Sequence, residues 1–347
     1  MATRRENGRP ALPAWAKKPP VDGVLIVPTA LAGTLKKALG PLGRLLVPST
    51  RFVAFESEGV WGLSRQLGLT MDNAKDLRHA LEVLASHDLP VLHLDLHVEK
   101  GAAGALVEVL ASPAAARLSA LIIGLAEPFE VAGAVASAVQ RTPGLRRLEL
   151  VARGGGSDVV SVVEAAKDLR LLSLVSVGLR GPDLKRLAKT KALTQLESLK
   201  LLHVQASDRE LAALFASPWA KTSLRSLQLS RAEKVPSDYP GLGSLTALAT
   251  LDLGFVSSKG LAAVAGAPFV QRLKRLALHG STLDEAVART LAAGGLPALE
   301  VLHLKWATTT VKAVDALVKV APRLQLLELP AGLEAQKSWV KRGRQIL

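Results

Sequence analysis

Seven histidines and no cysteine bound the chemistry open to this chain. The densest group is His93-Leu94-Asp95-Leu96-His97, with Glu99 close behind. Alternating His, Asp and His on one strand face is a pattern that binds zinc. Register argues against such a site here. His93 and Asp95 take outward positions of the strand pattern developed below, whereas His97 falls at an inward position after the chain turns. His97 is therefore read as a partner of turn carbonyls, and no metal site is assigned. His203, His279 and His303 are scattered on or beside the same strand face, with Asp252 the nearest acid in register to the last two. Strands two or more repeats apart do not assemble a compact Ser-His-Asp group without help from loops. Gly154-Gly155-Gly156 lacks the lysine of a phosphate-binding loop and reads as a flexible turn. The absence of thiols excludes disulfides, thiolate metal sites and cysteine nucleophiles. No catalytic residue and no cofactor is assigned; the chain reads as non-catalytic.

Whatever these side chains do, a repeated element positions them. The string L-x-x-L-x-L occurs ten times, beginning at Leu89, Leu118, Leu145, Leu169, Leu196, Leu224, Leu248, Leu273, Leu299 and Leu324. Of its thirty apolar positions, twenty-nine are Leu and one is Ile123, and successive copies lie 24 to 29 residues apart, a regularity that chance does not supply. Inside each copy the fourth and sixth residues point one way and the third, fifth and seventh the other, the period of a strand. A lone strand cannot bury its leucines, but ten stacked in parallel form one continuous core. Helical patterns fill the intervals, as in 158–166, 208–216, 284–293 and 311–320, with Asp158, Asp208 and Asp284 at expected N-caps. The sixth interval differs, because residues 233–245 hold two prolines and two glycines, and a loop is expected there. Helices are wider than strands, so the array must curve.

This pattern resembles the leucine-rich-repeat family, nearest its ribonuclease-inhibitor-like branch, over residues 89–333. The resemblance implies an α/β horseshoe with a parallel sheet on the concave side and helices on the convex side. It implies little about function, because one scaffold serves many partners. The family's Asn or Cys, three residues past the last motif leucine, is replaced here by His97, Ala126, Arg153, Val177, Val204, Ala232, Val256, Ser281, Ala307 and Gly332. An asparagine ladder is therefore absent, and the turns are expected to satisfy their backbone groups through the helices or water.

Four segments follow from this reading: a basic flexible arm (1–20), an N-terminal cap with degenerate repeats (21–88), ten repeats (89–333) and a basic C-terminal capping helix (334–347). Trp339 and Val340 are expected to close the last leucine layer. The net charge of +14 is concentrated at the two ends, with +4 in residues 1–20 and +3 in residues 334–347. Val24 to Ala32 is too short and too interrupted for a signal sequence, and no apolar run of about eighteen residues is free of charge. A cytoplasmic, bacterial protein is the expectation, the latter from a bias to Ala, Leu, Arg and Gly.

The strand register exposes a definite set of side chains. Val151, Leu171, Val175 and Leu202 place aliphatic groups side by side in the third to fifth repeats. His279 and Lys305 occupy seventh positions farther along, and His203, Arg231, Phe255 and Trp306 lie one position beyond, on the sheet's edge. Aromatic residues and arginine are favoured anchors of interfaces. These ten residues are the expected contact set for a protein partner. Positive and negative charges balance on the sheet face, which suits a phosphate-tracking groove poorly. The alternative contact for nucleic acid or another anionic surface is the ends: Arg4, Arg5, Arg9, Lys17 and Lys18 in the arm, and Lys341, Arg342 and Arg344 in the tail.

Overall fold

A computed structural model describes residues 92–98, 103–125, 132–232 and 235–336, with short isolated stretches at 5–6, 9–10, 67–69, 78, 339 and 345–346. Among the described residues twelve strands form one parallel sheet, almost all adjacent in chain order, and two small two-stranded pairs lie apart from it. Ten belong to the repeats, from Leu92–Val98 to Leu326–Glu328. Leu67–Leu69 adds a strand at one end and Gln345–Ile346 another at the other. Apart from Leu67–Leu69 and Arg78, the N-terminal cap expected at 21–88 lies outside the described residues.

The register is that of a leucine-rich-repeat solenoid. Leu148, Leu172, Leu199, Leu227, Leu251, Leu276, Leu302 and Leu327 pair rung by rung across eight strands. Each is buried, as are the sixth-position leucines from Leu150 to Leu329. Removing such a side chain from water contributes about 1.5–3 kcal/mol, so the stacked columns are the main stabilising element. Helices close the other side of the core, as where Val159, Val160, Val162 and Val163 of Gly156–Ala165 are all buried. Sheet and helices thus form two layers around one leucine spine, with the wider helices outside the curve.

Local chemistry starts these helices, though not always at the expected residue. Asp284 is the N-cap of Glu285–Gly294, its carboxylate accepting from the Val287 amide at 2.8 Å. Asp208 is not a cap; Ser207 is, in a capping box with Glu210. Asp158 lies in the first turn of its helix behind Gly155. Both carboxylates sit where the positive end of the helix dipole favours them. The sixth interval has no full helix among its described residues, only the short 3-10 turn Leu242–Ser244. Tyr239 takes the helix's place, buried at 1% exposure with its hydroxyl donating to the Gly254 carbonyl at 2.6 Å.

Two expectations are corrected. In the first repeat Leu94 and Leu96, not Leu92 and Leu94, pair with Leu121 and Ile123. His93, Asp95 and His97 therefore hold the register positions of Ala120, Ile122 and Gly124, and His97 is not at an inward turn position. The overlapping leucines at 92, 94 and 96 fit the motif in two frames, and the frame beginning at Leu89 was the wrong one. The tail is the second correction: it does not end as a helix, because Gln345–Ile346 joins the sheet beside Leu326–Leu327. Trp339 does close the last layer, with no exposed surface and its indole nitrogen 3.4 Å from Asp315. Val340 lies outside the described residues.

The turns after the strands bond directly to one another, main chain to main chain. Ala152 N–H donates to Val175 O, Ser176 N–H to Leu202 O, Ala232 N–H to Val204 O, Phe255 N–H to His279 O and Gly280 N–H to Trp306 O. Four residues one place past the seventh position, Ser176, His203, Phe255 and Gly280, share a left-handed backbone with φ between 53° and 62°. Ser281 alone recovers the side-chain bridge of an asparagine ladder, its hydroxyl accepting from the Val256 amide at 2.9 Å.

Candidate binding surface

On the sheet face opposite the leucines the repeat places three columns of side chains. Val151, Val175 and Leu202 lie in one row of the register, and Leu171 stands four residues before Val175 on the same strand. Val151 is exposed at 40%, whereas Leu171, Val175 and Leu202 are half-buried against their neighbours. The expected aliphatic patch is thus present but tighter than a freely exposed one. Val301, expected to face out, is buried.

Charges on this face are mostly neutralised within it. Arg147 donates to Glu149 at 2.6 Å. Asp252 accepts from Gln228 at 3.0 Å and pairs with His279 at 3.0 Å. Glu328 meets His303 at 2.7 Å and Lys305 at 3.3 Å. Burial raises the Glu328 pKa, but its contacts with His303 and Lys305 outweigh that, and its carboxyl is held below the usual range. Lys200 and Arg275 are half-buried on the same face and have no such partner. The balance of charge counted from sequence therefore conceals an unequal pairing: each acid of the described face is engaged, and two cations are left over.

Along the edge, Trp306 is 65% exposed, its ring 5.2 Å from the His279 ring and 5.5 Å from the Lys305 ammonium. His279, Lys305 and Trp306 are thus brought together at this edge. Phe255 is instead half-buried over the next turn, where a Cβ on Gly280 would collide with its ring. It packs the edge. Arg231 is half-buried and paired with Asp208 at 3.6 Å. His203 is exposed and bonded through Nδ1 to the Ser176 hydroxyl at 2.7 Å. A Ser-His pair needs an acid to orient the imidazole before the serine becomes a nucleophile, and no carboxylate is among the contacts of His203.

Beside that pair lies a recess of about 630 Å³, lined by Arg153, Gly154, Gly155, Gly156, Ser176, Arg180, Asp183 and His203, among others. The glycine triplet is crowded at Gly156 and open at Gly154. A Cβ on Gly178 would stand 3.3 Å from the Gly154 Cα, and one on Gly156 would press on Asp183 and the Gly178 carbonyl. The Arg153 and Arg180 guanidinium groups are exposed and, like Lys200 and Arg275, without a carboxylate partner. Sequence reasoning counted Lys200 and Arg275 into a balanced face and did not single out Arg153 or Arg180 as binding groups, because pairing across repeats is a matter of distance rather than of residue count.

Among the described residues, no group of three or more His, Asp or Glu side chains is placed to hold a metal ion. No helix of the described residues is long and apolar enough to cross a membrane. Of the alternative contact set, Arg4, Lys17, Lys18, Lys341, Arg342 and Arg344 lie outside the described residues. Arg5 and Arg9 fall in a two-residue antiparallel pair, Arg5–Glu6 with Arg9–Pro10.

No protein-family model matches the chain, and no curated protein is similar to it in sequence. Among solved structures it is similar to an internalin from Listeria monocytogenes, at 16% identity and a TM-score of 0.42 over 92% of this chain and 94% of that one. It is also similar to TLR13 in a complex with ssRNA13, at 15% identity and a TM-score of 0.42 over 74% of this chain and 38% of that one. The leucine-rich-repeat assignment rests on the chain's own geometry: parallel strands in register, a buried leucine at each rung, and helices across the opposite side of the core.

Proposed function

We propose that this chain is a non-catalytic interaction scaffold, a cytoplasmic bacterial adaptor that binds a protein partner through the concave sheet and its adjoining edge. The repeat length and the α-helices in most intervals fit the ribonuclease-inhibitor-like type of repeat. One observation carries the reading: a rigid sheet face presents Val151 and Trp306 to solvent at 40% and 65% exposure, with Leu202, His279 and Lys305 between or beside them. Exposed apolar groups on a fixed scaffold are the usual basis of a contact surface. His203, His279 and His303 are engaged by a serine or a carboxylate and form no triad among the described residues, which fits a non-catalytic role.

The test is affinity capture from the native organism with the full chain and with the double variant Leu202→Asp, Trp306→Ala. A partner retained by the parent and lost by the variant supports the scaffold. The second arm deletes residues 1–20 and neutralises Lys341, Arg342 and Arg344, leaving Trp339 in the core. Loss of capture in that arm, or in moderate salt, would instead assign binding to the basic ends and to an anionic partner.

A further inference from the structure

The unpaired cations are not scattered over the concave side. Arg275 holds a third position in the eighth repeat, Lys200 a fifth position in the fifth, and Arg153 lies two places past the seventh position in the third. Each step moves two or three repeats along the sheet and two or more residues toward the edge, so the three follow an oblique path that steepens toward the edge. With strands about 4.8 Å apart and residues about 3.3 Å apart along a strand, the first step is roughly 16 Å, and the second runs past the strand end at Val151 into the turn. Arg180 stands with Arg153 at the recess that ends the line. None of the four side chains has a carboxylate partner among the described residues, although the Arg180 main-chain N–H donates to Asp183 at 2.9 Å, whereas Glu149, Asp252 and Glu328 on the same side are all engaged by side chains.

Two further observations bear on what lies along this line. Ser173, beside Lys200 in the register, has a buried hydroxyl with no hydrogen-bond partner. A buried polar group without a partner is costly, and this one lies directly beneath the surface that Lys200 borders. The row Val151, Val175 and Leu202 crosses this path between Lys200 and Arg153.

We propose that the concave face takes an acidic protein segment, with carboxylates seated on Arg275, on Lys200 and between Arg153 and Arg180, and aliphatic side chains against Val151, Val175 and Leu202. This rests on the scaffold reading and deepens it by naming the partner's chemistry. Fields of opposite sign fix register and speed encounter, while the apolar row supplies contact area. A single-stranded nucleic acid fits less well. Its phosphates repeat more closely than the roughly 16 Å between Arg275 and Lys200, and the line has no aromatic side chain on which a base could stack. Trp306 and Phe255 lie off it.

The experiment selects displayed random peptides of about sixteen residues on the immobilised full-length chain, long enough to span both steps when extended. The expected pool is rich in Glu and Asp alternating with Leu, Val or Ile. Its consensus peptide should bind at least about tenfold more weakly to Lys200→Glu, Arg275→Glu and to Arg153→Glu, Arg180→Glu, each checked for an unchanged circular dichroism melt. A neutral or basic pool, no enrichment, or an affinity unmoved by both charge reversals overturns the proposal. So does displacement of the peptide by an oligonucleotide of equal length at lower concentration, which would give the cations to phosphates. Binding lost in Leu202→Asp but unmoved by charge reversal would leave the scaffold reading standing and remove only the acidic partner. Binding unmoved by either would remove both.

Discussion

Replacing Tyr239 by phenylalanine isolates one hydrogen bond on which the irregular sixth interval depends. The ring is 99% removed from solvent, and its hydroxyl lies 2.6 Å from the Gly254 carbonyl at the end of the seventh repeat's strand. Tyr239→Phe keeps the ring, so no cavity opens and the whole effect comes from the lost donor. Depriving a buried acceptor of its partner costs about 1–3 kcal/mol, and short strong geometry argues for about 2 kcal/mol. Tyr239→Leu loses ring packing as well and should cost about 3–5 kcal/mol, by comparison with other aromatic truncations in cores. Urea unfolding followed by circular dichroism reads both, provided the slope is unchanged between variants. A second readout needs no mutation. Tyr239 is the chain's one tyrosine, so near-ultraviolet absorbance titrates this phenol alone. Burial raises its pKa far above the ordinary value of 10. Ionisation should therefore accompany alkaline unfolding and not precede it. A Tyr239→Phe variant within about 0.3 kcal/mol of the parent, or a phenol titrating near pH 10 in the folded chain, would refute the assignment of this residue as the loop's anchor.

Four shorter predictions test other parts of the structure. Leu251→Ala, at a position without exposed surface, should destabilise by about 2–5 kcal/mol in the same urea assay. Gly280→Ala, with φ of 62° and the Phe255 ring over it, should lower the unfolding midpoint, whereas Phe255→Ala, Gly280→Ala should recover part of that loss. The Glu328 pKa is depressed in the folded chain, so its contribution is present above the ordinary value of 4.5 and lost as pH falls through the lower folded value. Between about pH 6 and about pH 3 the parent should therefore lose more stability than Glu328→Gln. Trp306→Ala should leave the unfolding midpoint unchanged, because 65% of the residue is already in water, and should show its effect only in partner capture.

The leucine columns made the repeats legible. Their spacing also identified the exposed positions, and Val151, His279, Lys305 and Trp306 stand where the register put them. The first repeat failed for a specific reason: leucines at 92, 94 and 96 satisfy two frames, and only pairing with Leu121 and Ile123 selects one. Turn bonding left no trace because peptide groups do it. Its only outward sign, a left-handed backbone, is borne at Ser176, His203 and Phe255 by residues that sequence does not mark as permissive. The uncompensated cations were hidden by counting. His303 and Glu328 share a column in adjacent repeats and could have been paired on paper, but Asp252 reaches His279 diagonally between columns, which only side-chain length and rotamer decide.

Because successive turns are joined peptide to peptide, no particular side chain is required at most of those positions to hold one coil to the next. The array is then modular in a strict sense. A whole period could be duplicated or excised, and the coils brought together would find the same backbone donors and acceptors that the old neighbours offered. Reach along the concave side is thereby separated from its chemistry: the number of coils sets how long a partner segment can be followed, while the letters at the third, fifth and seventh positions set what is recognised at each step.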